Sequence, residues 1–355
     1  MKKKKITIRD IADKLDVTAS TVSRALKNHP RISDATKKAV VEMADKLNYQ
    51  PNNIASALRK GKSNIIGVII PTSDRRFFAS VIKGIEQVLR EEGYNLIISQ
   101  SDDIASKEES NIDALLRVQV DGIIASIARE TTDYTHFKRA IKRGVPLILF
   151  DRVNEELGVN TVVNDDYQGG VMAVNHLIEQ GCTKIAHFMG KRHLNIYQER
   201  LRGFKDALKE HHLPINEDWI LEGDLIDETE QVLETGRRLT HKLFEGDEIP
   251  DAIFSSSDFA AMGAIQVLKE KNIKIPDEVA LVGFSNDLST SFIDPPLTSI
   301  DQHTRQMGEL VAQVFLQQIN SDSKNIPFDT TLKPELIIRA SSMRKEKVKA
   351  EQQAL

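Results

Sequence analysis

The sequence predicts an α/β protein: an N-terminal helix-turn-helix headpiece followed by a two-lobed body built on parallel sheets. Three observations carry this. Three short segments with helix-start signals and apolar faces fall within the first 50 residues. From Ile65 onward, near-continuous apolar stretches alternate with amphipathic helical ones, the mark of buried parallel strands joined by right-handed crossovers. Those stretches form two series, and 355 residues are enough for two or three domains.

Thr7-Ile-Arg-Asp10 opens the first helix, a hydroxyl cap with a carboxylate three residues on. Ile8, Ile11, Ala12 and Leu15 follow at i, i+3, i+4 and i+7, which is one apolar face. Thr18 caps a second helix whose inward face is Val22, Ala25 and Leu26, and Asn28-His29-Pro30 ends it. Ser33 caps a third, with Val40, Met43, Ala44 and Leu47 inward. The tight gap between the first two fits a helix-turn-helix. Asn52 to Lys60 reads as a further helical stretch, marginal alone because helices under about 12 residues rarely hold in water. Gly61-Lys62-Ser63 reads as a linker.

The first series of expected strands is Ile65–Ile70, Asn95–Ser99, Gly122–Ser126, Pro146–Phe150 and Thr161–Val163. The second is Lys184–Met189, Trp219–Leu221, Ala252–Ser255 and Val279–Phe284. Amphipathic helices such as Phe78–Glu92 and Tyr167–Gln180 lie between them. Residues 343–355 are polar and read as a flexible tail, without the leucine heptad that would build a helical bundle between dimers.

Charge is unevenly placed. Residues 1–60 carry 14 Lys/Arg and 6 Asp/Glu, a local +8, so the remainder holds −12 of a net −4. A basic arm on an acidic body suits one end meeting a polyanion while the body stays soluble. Lys2 to Lys5 alone would read equally as a solvated tail, but the basic residues continue into the patterned helices.

Several classes fall away. No apolar run approaches the roughly 20 residues of a membrane span, and the basic start has no apolar stretch behind it as a signal peptide requires. A soluble, cytoplasmic protein is expected. The single cysteine, Cys182, excludes an internal disulfide framework and any multi-cysteine metal site, and it reads as packing. His211-His212 lacks metal-ligand spacing and reads as a solvated pair. There is no Gly-x-Gly-x-x-Gly after a strand, no phosphate loop and no Gly-x-Ser-x-Gly elbow, so no enzyme, cofactor or metal is expected.

The run Thr7-Ile-Arg-Asp-Ile-Ala-Asp-Lys-Leu-Asp-Val-Thr-Ala-Ser-Thr-Val-Ser-Arg-Ala-Leu26 resembles the DNA-binding headpiece of the lac-repressor (LacI/GalR) family. Leu47-Asn-Tyr-Gln-Pro-Asn-Asn-Ile-Ala-Ser-Ala-Leu58 resembles its hinge helix. The likeness continues through Ile66-Gly-Val-Ile-Ile-Pro71, Val120-Asp-Gly-Ile-Ile124, Arg200-Leu-Arg-Gly-Phe204 and Pro296-Leu-Thr-Ser-Ile300, covering about residues 6 to 342. It implies a headpiece over 1–50, a hinge helix and linker over 51–63, and a periplasmic-binding-protein-like body over 64–342. Lobe 1 would span about 64–162 and 292–322, and lobe 2 about 163–291 and 323–342, with the final strand near Leu336–Arg339.

Short polar side chains on the second helix suit base edges. The family motif puts base reading at Ala19, Ser20 and Arg24, and phosphate or flanking contacts at Thr7, Ser23, Arg31 and Ser33. Asn52, Ala55 and Leu58 would belong to the hinge contact. Leu58 would be a wedge entering the minor groove of a pseudo-palindromic operator, one from each subunit of a homodimer. The plainer reading of Leu58 is packing.

Effector positions implied by the resemblance are Phe77, Phe78, Asp151, Arg152, Arg200, Ser257, Asp258 and Ser285. A carboxylate and a guanidinium can hold sugar hydroxyls or an acidic group. Ser257 and Ser285 depart from the family's common asparagine and aspartate, and Leu225 stands where an aromatic often stacks on the ligand. A small polar molecule, such as a sugar, sugar acid or sugar phosphate, is the implied effector. Asp151 and Arg200 read alternatively as residues that only bridge the lobes. The resemblance thus implies a ligand-controlled transcriptional regulator, or the same regulator under a protein co-regulator. A solute-binding protein would need export, and a sugar enzyme would need catalytic groups that are not found.

Overall fold

A computed structural model describes residues 6–49, 62–225, 229–246, 248–320 and 327–344. The chain divides into two compact units, Met1–Ser63 and Asn64–Leu355.

The first unit is built on α1 (Ile8–Leu15), α2 (Ala19–Ala25) and α3 (Asp34–Lys46). Each start is held by the expected cap. The Thr7 N–H donates to the Asp10 carboxylate at 2.8 Å, Thr18 Oγ1 accepts from Thr21 N at 3.2 Å, and Ser33 Oγ accepts from Thr36 N at 3.3 Å. Asp16, at φ 52°, makes the left-handed step that ends α1. Ile11, Val22 and Val40 are fully buried, with Ala12, Ala25 and Ala44 filling the narrow space between. Each of the three larger side chains contributes about 1.5–3 kcal/mol by burial, which is what so small a core has to offset chain entropy.

The second unit holds two six-stranded sheets. The first runs β1 (Ile65–Ile70), β2 (Asn95–Gln100), β3 (Gly122–Ala125), β4 (Leu147–Phe150), β5 (Asn160–Asn164) and β11 (Asp329–Leu332), in the spatial order β11-β5-β4-β3-β1-β2, all parallel. The second holds β6 (Ile185–Met189), β7 (Ile220–Glu222), β8 (Ala252–Ser255), β9 (Ala280–Phe284), β10 (Thr298–Asp301) and β12 (Glu335–Ile337). Its order is β12-β10-β9-β8-β6-β7, and only β12 is antiparallel. Helices α4 (Arg76–Glu91), α5 (Ala105–Arg117), α6 (Thr135–Lys142) and α11 (Thr304–Asn320) cover the first sheet. Helices α7 (Asp166–Glu179), α8 (Asn195–Glu210), α9 (Thr229–Leu243) and α10 (Asp258–Glu270) cover the second.

Four expectations need correcting. Residues 292–303 do not belong to the first lobe, because Thr298–Asp301 forms β10 beside β9 of the second sheet; the return begins with α11. Residues 323–342 are not all second lobe either, since β11 pairs with β5 of the first sheet and only β12 goes back. The first sheet also keeps the chain through Asn164, two residues past the expected boundary. The physical reason is that β10 and β11 are short polar strands, anchored by hydroxyl and carboxylate hydrogen bonds more than by apolar area. Thr298 Oγ1 donates to Arg339 O at 2.9 Å, and Thr161 Oγ1 donates to Asp329 Oδ1 in the β11–β5 pair. Arg344, expected in the flexible tail, is instead anchored, donating to Asp251 O at 2.7 Å and Pro276 O at 3.2 Å; residues 345–355 of that call lie outside the described residues.

Helices pack in pairs through glycine. A Cβ on Gly170 of α7 would lie 2.5 Å from Arg200 O, and one on Gly203 of α8 would lie 2.2 Å from Tyr167 O. The missing side chains let α7 and α8 touch backbone to backbone, and this contact sets the position of Arg200.

Candidate functional sites: the headpiece surface and the interlobe cleft

On the headpiece, Thr7, Ser20, Arg24, Arg31 and Ser33 are exposed, while Ala19 and Ser23 are half-buried. Ala19 packs against the headpiece core, so it is tied to packing as well as to the surface. Val22 is fully buried, as its packing reading requires. Thr7 and Ser33 both hold helix starts. Their hydroxyls are engaged with Asp10 and Thr36, so what they leave toward solvent is mainly the positive end of a helix. Asn52, Ala55 and Leu58 lie outside the described residues.

In the second unit, a cavity of about 260 Å³ opens between the lobes at the carboxyl ends of β1, β4, β8 and β9, and all eight residues named from the sequence line it. Phe77 and Phe78 stand in the first turn of α4, edge-to-face at 5.0 Å, with Phe78 buried against Phe150. Asp151 follows β4 at φ 60° and is buried. Ser126 Oγ donates to its carboxylate at 3.3 Å, and burial raises its pKa against the pull of Arg152 and Arg200. Arg152, also buried, donates to the Asp103 carboxylate and to Ile127 O at 3.4 Å, leaving Nε without a hydrogen-bond partner.

Across the cleft, Arg200 is almost wholly consumed by its own lobe. Nε donates to Asp166 Oδ1 at 2.8 Å, Nη2 lies 2.7 Å from the same oxygen, and Nη1 donates to Ser256 O at 3.0 Å. Its guanidinium carbon sits 3.6 Å from the Phe284 ring centroid. Burial pushes the Asp166 carboxyl up to about 6 despite this pairing. Ser257 begins α10 without a side-chain cap bond. Asp258 accepts from Ser299 Oγ at 2.6 Å and from Asp287 N at 2.8 Å, and burial pushes it up to about 6 as well. Ser285 holds φ 112°, a strained conformation for a serine, at the turn after β9.

Sequence reasoning missed Tyr197, Asn286, Arg75 and Arg76, which also line the cavity. Arg75-Arg76 directly before Phe77-Phe78 was a legible signal, a basic pair at a helix start. Direct bonds also cross between the lobes. Asn195 Nδ2 donates to Asp151 O at 3.2 Å, His193 Nε2 donates to Arg129 O at 2.9 Å, and Arg129 pairs with Asp224. Among the described residues no cluster of His, Cys, Asp or Glu is arranged to hold a metal, and no helix is long and apolar enough to cross a membrane. Cys182 is core, its thiol pushed up to about 12 by burial.

A DNA-binding headpiece joined to a two-lobed ligand-binding body defines a class of transcription regulators, and sequence and structure comparisons agree. Residues 7–52 match the family described as bacterial regulatory proteins, lacI family, and residues 63–339 match periplasmic binding proteins and sugar binding domain of LacI family. The HTH-type transcriptional repressor PurR of Actinobacillus pleuropneumoniae serotype 3 (strain JL03) is 30% identical over 336 residues, covering 94% of this chain and 98% of that protein. A transcriptional regulator CelR–cellobiose complex is similar at TM-score 0.70 and 25% identity, covering 95% of this chain and 99% of that one. The lac repressor dimer bound to operator and the anti-inducer ONPF is similar in fold at TM-score 0.82 and 22% identity, covering 96% of this chain and 100% of that one. The chain belongs to the LacI family of bacterial regulatory proteins.

Proposed function

We propose that this protein is a cytoplasmic transcriptional repressor that binds a pseudo-palindromic operator as a homodimer and answers to a small polar effector, a sugar or sugar derivative, in the interlobe cleft. The observation that carries the reading is the cleft itself. Asp151 from the first lobe and Arg200 from the second face one cavity that also offers aromatic rings, the mixture that polyhydroxylated molecules need. The repressor name of the PurR relative and the cellobiose of the CelR complex support it. On the headpiece, Ala19, Ser20 and Arg24 would read bases, and Thr7, Ser23, Arg31 and Ser33 would meet phosphates. Asn52, Ala55 and Leu58 would complete the contact near the operator centre.

Control follows from geometry. A ligand shifts an equilibrium only by its differential affinity for the two lobe arrangements, and one that touches both lobes has that difference built in. Thermal-shift screening against neutral saccharides, sugar acids and sugar phosphates, followed by operator titration with each hit, tests the reading. A hit that stabilises the protein and changes operator affinity supports it. An effect on operator binding that persists when Arg200 is replaced moves the effector site elsewhere.

A further inference from the structure

The charges of the cleft are already matched inside the protein. Arg152 and Arg200, its two buried guanidiniums, each have a buried carboxylate of their own in Asp103 and Asp166. Arg75 is engaged as well, and Arg76 is exposed. The lining carboxylates hold protein donors in turn. Asp151 accepts from Ser126 Oγ, Asp258 from Ser299 Oγ and Asp287 N, Asp287 from Ser289 N, and Asp301 from Asn286 Nδ2. Because Asp151 and Asp258 are buried too, carboxylates outnumber guanidiniums in and behind the buried wall, and an incoming anion meets net repulsion.

Three polar side chains of the lining are left over, and all three are neutral. Ser256, 2% exposed just beyond β8, has no hydrogen-bond partner for its hydroxyl. Tyr197, 3% exposed in the first turn of α8, has the Arg200 guanidinium carbon 5.6 Å from its ring centroid, but its phenol has no partner among the described residues. Burial holds the pKa of that phenol above the ordinary 10.0, so it stays protonated. Gln302, 2% exposed, lies between β10 and α11, where the chain passes from the second sheet to a helix that covers the first. Its amide has no partner among the described residues either. Buried polar groups are normally satisfied, so three unmatched ones around one cavity mark where a guest completes the network. Hydroxyls both donate and accept, and a polyhydroxylated guest can therefore meet a serine, a phenol and an amide together.

Resting on the reading of the cleft as the effector site, we propose that the effector is an uncharged saccharide and that Tyr197, Ser256 and Gln302 set its specificity through one hydrogen bond each. Gln302 also gives the ligand a hold on a segment that joins the lobes, so the bond that selects the ligand also bears on the lobe arrangement.

The test uses the full-length protein at matched ionic strength, read by titration calorimetry. Glucose, galactose, ribose and cellobiose are the neutral probes, and gluconate, glucose 6-phosphate and ribose 5-phosphate the charged ones. One neutral saccharide should bind at least about tenfold tighter than any charged probe. Tyr197→Phe, Ser256→Ala and Gln302→Met should each weaken that saccharide about three- to tenfold, the loss of one hydrogen bond. Without ligand, the variants should melt at or above the wild-type temperature, because each loses a buried polar group that nothing in the protein satisfies. If one variant fails to fold, the other two carry the comparison. Lower melting in all three would reveal partners within the fold and overturn the proposal. So would a charged probe that binds tighter than every neutral one, or a panel in which no neutral probe binds. A neutral saccharide insensitive to the three changes but lost with Asp151→Asn overturns the specificity assignment while leaving the cleft as the effector site. Insensitivity to Asp151→Asn as well overturns the cleft reading with it.

Discussion

Arg129 Nη1 donates to Asp224 Oδ1 at 2.7 Å, and the two residues belong to opposite lobes. Arg129 follows β3 of the first sheet, and Asp224 follows β7 of the second. Both side chains are partly exposed, at 21% and 32%, so the pair is worth about 1 kcal/mol or less. That is small for folding but enough to bias two lobe arrangements of similar energy. Asp224→Ala should therefore shift the effector concentration for half-response in operator titrations by about two- to fivefold, with melting of the body nearly unchanged. An identical half-response would mean that the pair holds nothing the ligand works against.

Arg200 and Asp166 make a different kind of pair, buried with only 4% and 5% of their side chains exposed. Arg200→Ala would abolish the effector response but also strand a buried carboxylate, costing about 3–5 kcal/mol of body stability. Arg200→Met with Asp166→Asn should recover most of that stability and none of the response. Chemical denaturation and operator titration on the same samples separate the two roles. Recovery of both would make the pair purely structural.

Asp166 and Asp258 also set a pH dependence. Their folded pKa values, about 6, lie above the ordinary carboxyl value of 3.8. Their contribution to stability is fully present below the unfolded value and is lost as pH rises through the folded one, so the window is roughly pH 4 to 6. His187 acts oppositely. Stacked between Phe204 and Phe254, it is pushed down to about 3, so its contribution is present above 6.5 and falls as pH drops toward 3. Denaturant melts of Asp166→Asn/Asp258→Asn should then lose more stability on moving from pH 4 to pH 6.5 in the wild type than in the variant. An equal slope in both proteins would exclude these carboxyls as the source.

Arg24 is the exposed cation on α2, and its replacement probes the DNA end. Arg24→Ala should weaken specific operator binding by about 1–3 kcal/mol if it forks onto a guanine edge. Wild-type binding should itself weaken at least about tenfold between 50 and 200 mM salt, because phosphate contacts release condensed counterions. Fluorescence anisotropy with specific and scrambled duplexes measures both. Equal losses on the two duplexes would make Arg24 a phosphate contact.

What the sequence made legible follows signal strength. Thr7, Thr18 and Ser33 announced their helices because a cap is a local chemical event, settled within four residues. Ile65–Ile70 and Ala252–Ser255 were plain because a strand buried on both faces must be apolar throughout. The cleft residues were found because motif and strand end coincide. By contrast, β10 and β11 carry Thr, Ser and Asp, and their sheet membership depends on partners more than 100 residues away for β11 and on the pairing with β9 for β10. The anchoring of Arg344 was equally hidden, since its acceptors are backbone carbonyls that bear no mark in the sequence.

The interleaving of the two sheets has a consequence for how this protein is made. Synthesis delivers β1 to β5 first, then β6 to β10 of the other sheet, and only then β11 and β12, one for each. Until those last residues emerge, β5 and β10 each present an open edge, the kind of surface that recruits strands from neighbouring chains. The headpiece, complete by residue 49 and compact by itself, has no such dependence. A message broken before Asp329 would thus yield a product with an intact DNA-facing end on a body lacking an edge strand in both lobes. The completeness of the body is registered only when β11 and β12 arrive, which makes these two short strands a checkpoint for everything between them and the headpiece.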